Sequence, residues 1–394
     1  MATLASRDIT NERDSILIYL IAALCLALVF LIANFKLVRG EAVGVWDAFD
    51  FFGPYYSLIA DHARSGRLVL WDPWVGGGSP AFAEPQLGTL SPFTVLVGAI
   101  AGGTEAGFRI YWLLIWLLGP LGVVVLGRHL RVPAWGAFVV ALGFTFSGFY
   151  TGHAQHTSSL YAVAFLPFFV WRLDVALNTG KVLPTAQAGA LWGVSALGGY
   201  PQLPVLSSGF AMLWALGRWC CVEADDNVAT VRRPHFFLVL ATLALFVSVG
   251  LLVLSPSYVG YFTETHGYSD VTGPRLREVA LASNALHAGA LATFASPYLA
   301  SLKLFNINLW NFTDVSMASI YAGACISILF PLALLSRPAC RWRWWLAAIG
   351  LFFIACALAQ HLPLQSWLYD FFPPTRYFRN AALVRVYAIF VACV

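Results

Sequence analysis

The chain of 394 residues is 59% hydrophobic and only 11% charged, with a mean hydropathy of +0.74. A soluble domain is about 45–50% apolar and about 25% charged, so this chain has too little polar surface for a water-soluble globule and must have lipid as solvent over much of its surface. The net charge of +4 is small and spread over many loops, which gives no reason to expect a nucleic-acid partner.

The fold class expected is therefore all-α integral membrane, a polytopic helical bundle formed by one transmembrane domain over residues 1–394. A spanning helix needs about 20 mostly apolar residues. The first such run, Ile16 to Phe35, is longer than a signal-peptide core and reads as an uncleaved anchor. Further runs cover 109–127, 134–150, 158–172, 184–199, 203–219, 236–257, 317–335 and 344–359, and a last one begins near Ala381. That makes about ten spans by length alone. The final run is only 14 residues long at Val394, so the sequence is expected to be the N-terminal part of a longer pattern.

Lys and Arg in short loops set the orientation. Arg128 and Arg131 share one loop, Arg172 and Lys181 the next, then Arg218, Arg232 and Arg233, then Arg337, Arg341 and Arg343. If the spans alternate, these loops fall on one side, the cytoplasm, with the N-terminus inside a bacterial cytoplasmic membrane. Three long segments then face out, about 36–108, 258–316 and 360–380. They hold most of the acids, including Asp47, Asp50, Asp72, Glu84, Asp270, Asp314 and Asp370. The seven cysteines lie in apolar spans or cytoplasmic loops, which argues against a disulfide framework or a thiolate-held metal.

The first outer loop is rich in aromatic residues and rigid turns. Tyr55 to Arg64 has helical spacing with Ser65-Gly66 as its stop, as an amphipathic interfacial helix would. WDPW and GGGSP then force turns. Asp47 lies just beyond the first helix. Asp50 follows at helical spacing, so the two carboxylates would share a face if the segment is helical. Asp72 fits a turn or cap role better than a chemical one.

The order of elements resembles the bacterial YfhO family of large membrane proteins with the GT-C glycosyltransferase fold. The matching residues are Asp47, Pro54, Ser65-Gly66-Arg67-Leu68, Leu70-Trp71-Asp72-Pro73, Gly77-Gly78-Ser79-Pro80, Pro85-Gln86-Leu87-Gly88 and Ser91-Pro92. Later echoes are Ser147-Gly148-Phe149 with His156 and Pro167, Gly199-Tyr200-Pro201-Gln202, Ser255-Pro256, Tyr321-Ala322-Gly323, and Phe378-Arg379-Asn380-Ala381-Ala382 with Arg385. Phe51 stands where members often carry a polar residue, and Ala381 or Ala382 replaces a late proline.

The resemblance implies a transferase that moves a sugar from a polyprenyl-phosphate donor to a cell-envelope glycopolymer or glycolipid at the outer face. It implies Asp47 as the base on the acceptor hydroxyl, since a hydroxyl is a poor nucleophile until a carboxylate takes its proton. Asp50 could join Asp47 in holding a divalent cation, Mg or Mn, or be a surface charge. The leaving phosphate needs a cation to stabilise it. His153 and His156, with Gln155, are candidate donor-phosphate contacts, against the alternative of interfacial polar residues. Arg379 and Arg385 are candidates because ionisable groups at membrane depth are functional suspects, snorkelling being the alternative. Arg275 and Arg277, in a Pro/Gly-rich loop, are further candidates for phosphate capture. Two competing readings are a lipid or polysaccharide transporter and a non-catalytic scaffold for envelope assembly. A transporter should carry charges at mid-membrane and broken helices in pairs, whereas the acids here concentrate in loops.

Overall fold

The computed structural model describes residues 2–75, 77–221, 234–265, 274–301, 313–336 and 340–394, with backbone alone at 2–15, 300 and 301. Gly76, Arg232, Arg233, Asp270 and Arg337, which enter the sequence reading, lie outside the described residues.

The chain is an all-helical membrane protein. In order, the helices are α1 (Ala2–Ala33), α2 (Phe35–Arg39), α3 (Gly53–Arg64), α4 (Pro92–Ala101), α5 (Glu105–His129), α6 (Ala134–Thr145), α7 (Gly148–Gly152), α8 (Thr157–Ala164), α9 (Leu166–Thr179), α10 (Val182–Ala196), α11 (Gln202–Cys220) and α12 (Phe236–Glu264). After them come α13 (Arg277–Ala282), α14 (Ala324–Leu335), α15 (Arg341–Ala357), α16 (Pro363–Phe371) and α17 (Arg385–Ala392). Among the described residues the one extended pairing is an isolated bridge between Asp72 and Ser79. Among the described residues, five helical stretches are long and apolar enough to cross a membrane: Ile16–Ala33, Glu105–His129, Ala134–Gly152, Thr157–Thr179 and Phe236–Glu264. Their outward residues are large and apolar, among them Leu24, Ile32, Phe237 and Leu252.

Of the remaining expected spans, 203–219 falls in the uninterrupted 19-residue α11, and the others are shorter or interrupted. The run expected from 317 becomes a helix only at Ala324, because residues 318–323 run without regular structure to Gly323, which has φ +105°. The last run opens as a 3-10 turn, Ala381–Val384, before α17. Pro167 follows a break between α8 and α9, since proline cannot give its N–H to the preceding turn.

Local signals explain the helix starts. Ser91 caps α4 by accepting from the Thr94 N–H at 3.1 Å, with Pro92 in the first turn. Thr104 caps α5 through the Gly107 N–H at 3.2 Å. α3 begins with Pro54 and stops at Ser65 and Gly66, the latter at φ +71°. Its apolar face, Tyr56, Ile59 and Ala60, is buried, and the helix packs on α4.

In lipid there is little hydrophobic driving force between helices, so close packing and buried hydrogen bonds carry the association. α10 lies along α9 and α12, and α5 packs on α6, α8 and α9. Tyr161 on α8 shares a 2.6 Å hydrogen bond with Ser91. The Tyr387 hydroxyl on α17 donates to the Leu203 carbonyl at 2.6 Å and lies 2.9 Å from Ser207 Oγ of α11. Helix alternation collects the short connections 130–133 and 180–181 with Arg218 and Arg341 at one end. The long segments lie at the other, here called the loop end.

Candidate active site

At the loop end, four stretches far apart in sequence enclose a cavity of about 460 Å³. Its walls include Asp47 and Phe52 from the first loop, His153 and His156 between α7 and α8, Asp314 and Ser316 before α14, and Arg379 and Asn380 before α17. Gln86 and Tyr200 close one side.

The backbone around this cavity is strained. Five described non-glycine residues have left-handed backbone, and three of them, Trp46, Asn284 and Asn380, line the cavity. Such conformations cost about 1–3 kcal/mol each and cluster where surrounding structure holds them for a purpose. Asn284 Nδ2 donates to Asn380 Oδ1 at 2.9 Å, and Asn284 Oδ1 accepts the Asp314 N–H at 2.9 Å. The pair thereby locks three long segments to one another.

His153 and His156 sit in the short turn between α7 and α8. Gly148 and Gly152, one helical turn apart on α7, let the 316–321 segment lie directly against that helix. A Cβ on Gly152 would overlap the Ser316 carbonyl, and one on Gly148 would overlap Ser319. The Gly148 N–H donates to the Tyr321 carbonyl at 2.8 Å. His153 is 1% exposed. Burial, followed by the neighbouring Arg385 and His156, holds its pKa well below the usual imidazole value. Burial also lowers the pKa of His156, although Asp47 and Asp314 pull it back up. His156 Nε2 stands 3.5 Å from Asp47 Oδ2. The Asp47 side chain is 56% exposed and open to the cavity.

Beneath His153, Arg385 is fully buried. Its guanidinium donates to the carbonyls of Ser319 (2.8 Å), Ala382 (2.9 Å), Ser316 (2.7 Å) and Gly148 (3.3 Å). It does not snorkel. It ties α7, α17 and the segment before α14 into one floor under the cavity.

No family model matches the sequence, and no curated protein matches it. Among solved structures it is similar to the Archaeoglobus fulgidus oligosaccharyltransferase, in a complex with zinc and sulfate, at 14% identity and a TM-score of 0.39. That match covers 95% of this chain and 48% of the other, so the chain spans about half the length of that enzyme.

The other residues singled out from sequence fall elsewhere. Asp50 is exposed and does not line the cavity. Residues Ala48–Phe52 form a π-turn. Of the two carboxylates only Asp47 lines the cavity. Among the described residues no three His, Cys, Asp or Glu side chains converge in a way that could hold a metal. Arg277 is held in a two-point pair with Asp370, Nε to Oδ1 and Nη2 to Oδ2 at 3.1 Å each, and also reaches Ser366. Asp72 is buried and accepts the Trp74 N–H at 2.8 Å, closing the WDPW turn.

Arg275 lines a second cavity of about 440 Å³, with Tyr258, Tyr261, Pro373, Tyr377 and Phe378 among its walls. The two cavities share Gln86, Tyr200 and Arg379. Both Pro-Gln pairs of the sequence thus meet at one place, Gln86 in the shared wall and Gln202 in the second cavity. Gln202 Oε1, Tyr258 Oη and Ser316 Oγ are buried without a hydrogen-bond partner among the described residues. Glu84 also faces the second cavity, and burial pushes its carboxyl above the usual range against the opposing donors of Gln86. Gln86, Tyr200 and Gln202 stand in the Pro-Gln motifs of the sequence, whose spacing alone does not point to a site, and Asn284 carries no sequence signal.

Proposed function

We propose that this chain is a membrane glycosyltransferase of the GT-C type, similar to the YfhO family, transferring a sugar from a polyprenyl-phosphate donor to an envelope acceptor at the outer face. The observation that carries the reading is the convergence of Asp47, His153, His156 and Arg379 on one cavity that joins an aromatic one. The polar cavity suits a sugar phosphate. The aromatic one suits the first apolar units of its lipid, with Arg379 in the wall that the two cavities share and Arg275 in the aromatic one.

The chemistry follows from the groups present. The acceptor hydroxyl oxygen attacks the anomeric carbon, its proton passes to Asp47, and the bond from that carbon to the phosphate oxygen breaks. The departing phosphate gains negative charge, which Arg379 is placed to stabilise. The loop end would then face outward and the basic end the cytoplasm. On this reading the polar atoms left unpartnered at Gln202, Tyr258 and Ser316 are filled by substrate or water, since buried polar groups are otherwise paired.

The test is a transfer assay on the purified protein supplied with a panel of polyprenyl-phosphate sugars. Asp47→Asn keeps the shape and removes the base, so transfer should fall on the order of 10²–10⁴-fold with donor binding nearly intact. Near-normal transfer by Asp47→Asn with loss in Asp50→Asn would move the base to Asp50. Near-normal transfer by both would overturn the enzyme reading.

A further inference from the structure

Asp47 stands at the end of a chain of side chains that runs from the fully buried Arg385 through both histidines. The Arg385 Nη1 is 3.5 Å from His153 Nε2. His153 Nδ1 is 3.3 Å from His156 Nδ1. His156 Nε2 is 3.5 Å from Asp47 Oδ2. A guanidinium carries only donors and does not give up its proton in proteins. That fact fixes the direction of every link.

Because Arg385 can only donate, His153 Nε2 must accept, so its proton sits on Nδ1. His153 Nδ1–H then faces His156 Nδ1, which must accept in turn. The His156 proton therefore sits on Nε2 and points at the Asp47 carboxylate. Both rings are neutral in this scheme, in keeping with the way burial depresses their basicity. Both ends agree, since a cation that only donates starts the chain and a carboxylate that only accepts closes it. The opposite orientation would set N–H against N–H between Arg385 and His153.

We infer that Arg385 and His153 are positioning residues, which fix the tautomer of His156 so that its Nε2–H holds Asp47 by one carboxylate oxygen and leaves the other free for the reacting hydroxyl. The inference rests on the proposed role of Asp47 as base. It adds that the chain is not a proton wire. Arg385 has no lone pair to receive a proton, so the proton that Asp47 takes leaves by way of the cavity. Arg385 is fully buried and does not line the cavity, His153 is almost fully buried at its wall, and both act on Asp47 through His156. The neighbouring charge that bears on this alignment is Asp314, which faces both His156 and Arg385. It favours the charge on Arg385 and works against burial at His156, whose basicity it raises.

The test reads tautomers directly, with no donor or acceptor present, so that it stands apart from any transfer assay. The protein is labelled with nitrogen-15 in its histidines and placed in lipid nanodiscs. His153 and His156 are assigned by difference against His153→Asn and His156→Asn. Two-bond nitrogen–proton couplings near neutral pH then report which ring nitrogen carries the proton. The expected result is protonated Nδ1 at His153, the minor form of a free imidazole, and protonated Nε2 at His156. A proton on Nε2 of His153, or a doubly protonated ring, overturns the inference even if Asp47 is the base.

Arg385 also anchors four carbonyls, so its truncation risks misfolding. Arg385→Lys keeps a group that only donates, and in folded protein the Nδ1–H signature of His153 should persist. Its loss in a folded Arg385→Lys protein would show that the cation does not set the tautomer. If the tautomers are as expected while Asp47→Asn transfers normally, the relay stands and the assignment of the base fails.

Discussion

Two buried arginines at opposite ends of the bundle make a useful contrast. At the basic end Arg218 faces a carboxylate: its Nε lies 2.9 Å from Asp174 Oδ1, and Asp174 is 1% exposed. Asp174 also takes hydrogen bonds from Trp214 Nε1 at 2.9 Å and Asn178 Nδ2 at 3.0 Å, and its Oδ2 lies 2.8 Å from His129 Nε2. Arg218 donates to Asn178 Oδ1 at 2.7 Å and lies over the Trp342 ring. At the loop end the Arg385 guanidinium reaches carbonyls and a histidine, next to a cavity where Ser316 Oγ is buried without a hydrogen-bond partner among the described residues. The first network sets its cation directly against a carboxylate that three further side chains also contact, as a structural staple between α5, α9 and α11 should. The second brings left-handed backbone at Trp46, Asn284 and Asn380 and the buried Ser316 hydroxyl to the wall of a cavity, which is the character of a site that binds something.

The largest effect on stability should come from opening the first network. Asp174→Ala would leave Arg218 as a buried, uncompensated charge, a change that typically costs about 3–5 kcal/mol. Thermal unfolding in detergent should show a large loss of melting temperature or failure to accumulate. Asp47→Asn, on an exposed carboxylate, should leave the melting temperature close to that of the wild type. Equal destabilisation by both would erase the distinction between the two ends.

The next effect concerns the floor of the cavity. Gly152→Ala places a methyl against the Ser316 carbonyl, and overpacking of this kind typically costs about 1–3 kcal/mol. The 316–321 segment should shift away from α7 and loosen the Arg385 contacts with it. Transfer should drop along with the melting temperature, whereas an alanine at Gly209, which meets no neighbour, should do neither. Full activity in Gly152→Ala would show that the 316–321 segment does not shape the site.

How much of this was legible beforehand depends on the range of the signal. Apolar runs report on single helices, so the spans and their alternation could be read from length and composition. His153 and His156 could be flagged because they stand in one short polar turn between apolar runs. The Asp174 network could not be read, since Asp174 sits inside an apolar helix and its partners come from two other helices. That Asp50 lies in a π-turn and outside the cavity lining could not be read, because a π-turn has no simple sequence mark. Asn284 and Asn380 meet only through tertiary contact. The spacing of Gly148 and Gly152 was the one available clue to the close approach of the 316–321 segment, and it is visible once that packing is known.

A smaller effect is expected from pH. The folded pKa values of His153 and His156 lie below the unfolded imidazole value of about 6.5. Below that pH the unfolded chain binds more protons than the folded one, so protonation favours unfolding. The stability is thus full above about pH 6.5 and is lost as the pH falls from there. The groups facing the pair are Arg385, Asp47 and Asp314, and the first opposes protonation while the two carboxylates assist it. Melting temperature measured from pH 7.5 down to pH 5 should fall less steeply in His153→Asn than in wild type. Parallel curves would mean that the pair is not buried as described.

The smallest effect should come from Arg277, and it separates a surface pair from a phosphate contact. Arg277 and Asp370 are both about half exposed, and their two-point pair joins α13 to α16. The carboxyl of Asp370 is held below its usual range by the hydrogen bonds from Arg277, so the pair's contribution is present near neutral pH and is lost in acid. Exposed ion pairs are screened by salt and usually matter little. Arg277→Ala should therefore leave the melting temperature within scatter at high salt, with at most a small loss at low salt. The KM for a polyprenyl-phosphate sugar decides its role. If Arg277 only braces Asp370, KM is unchanged in Arg277→Ala, and Asp370→Ala behaves the same way. If Arg277 captures the donor phosphate, Arg277→Ala raises KM, while Asp370→Ala frees the arginine and lowers it. Arg379, which lines both cavities, should raise KM on truncation whichever way the Arg277 result falls.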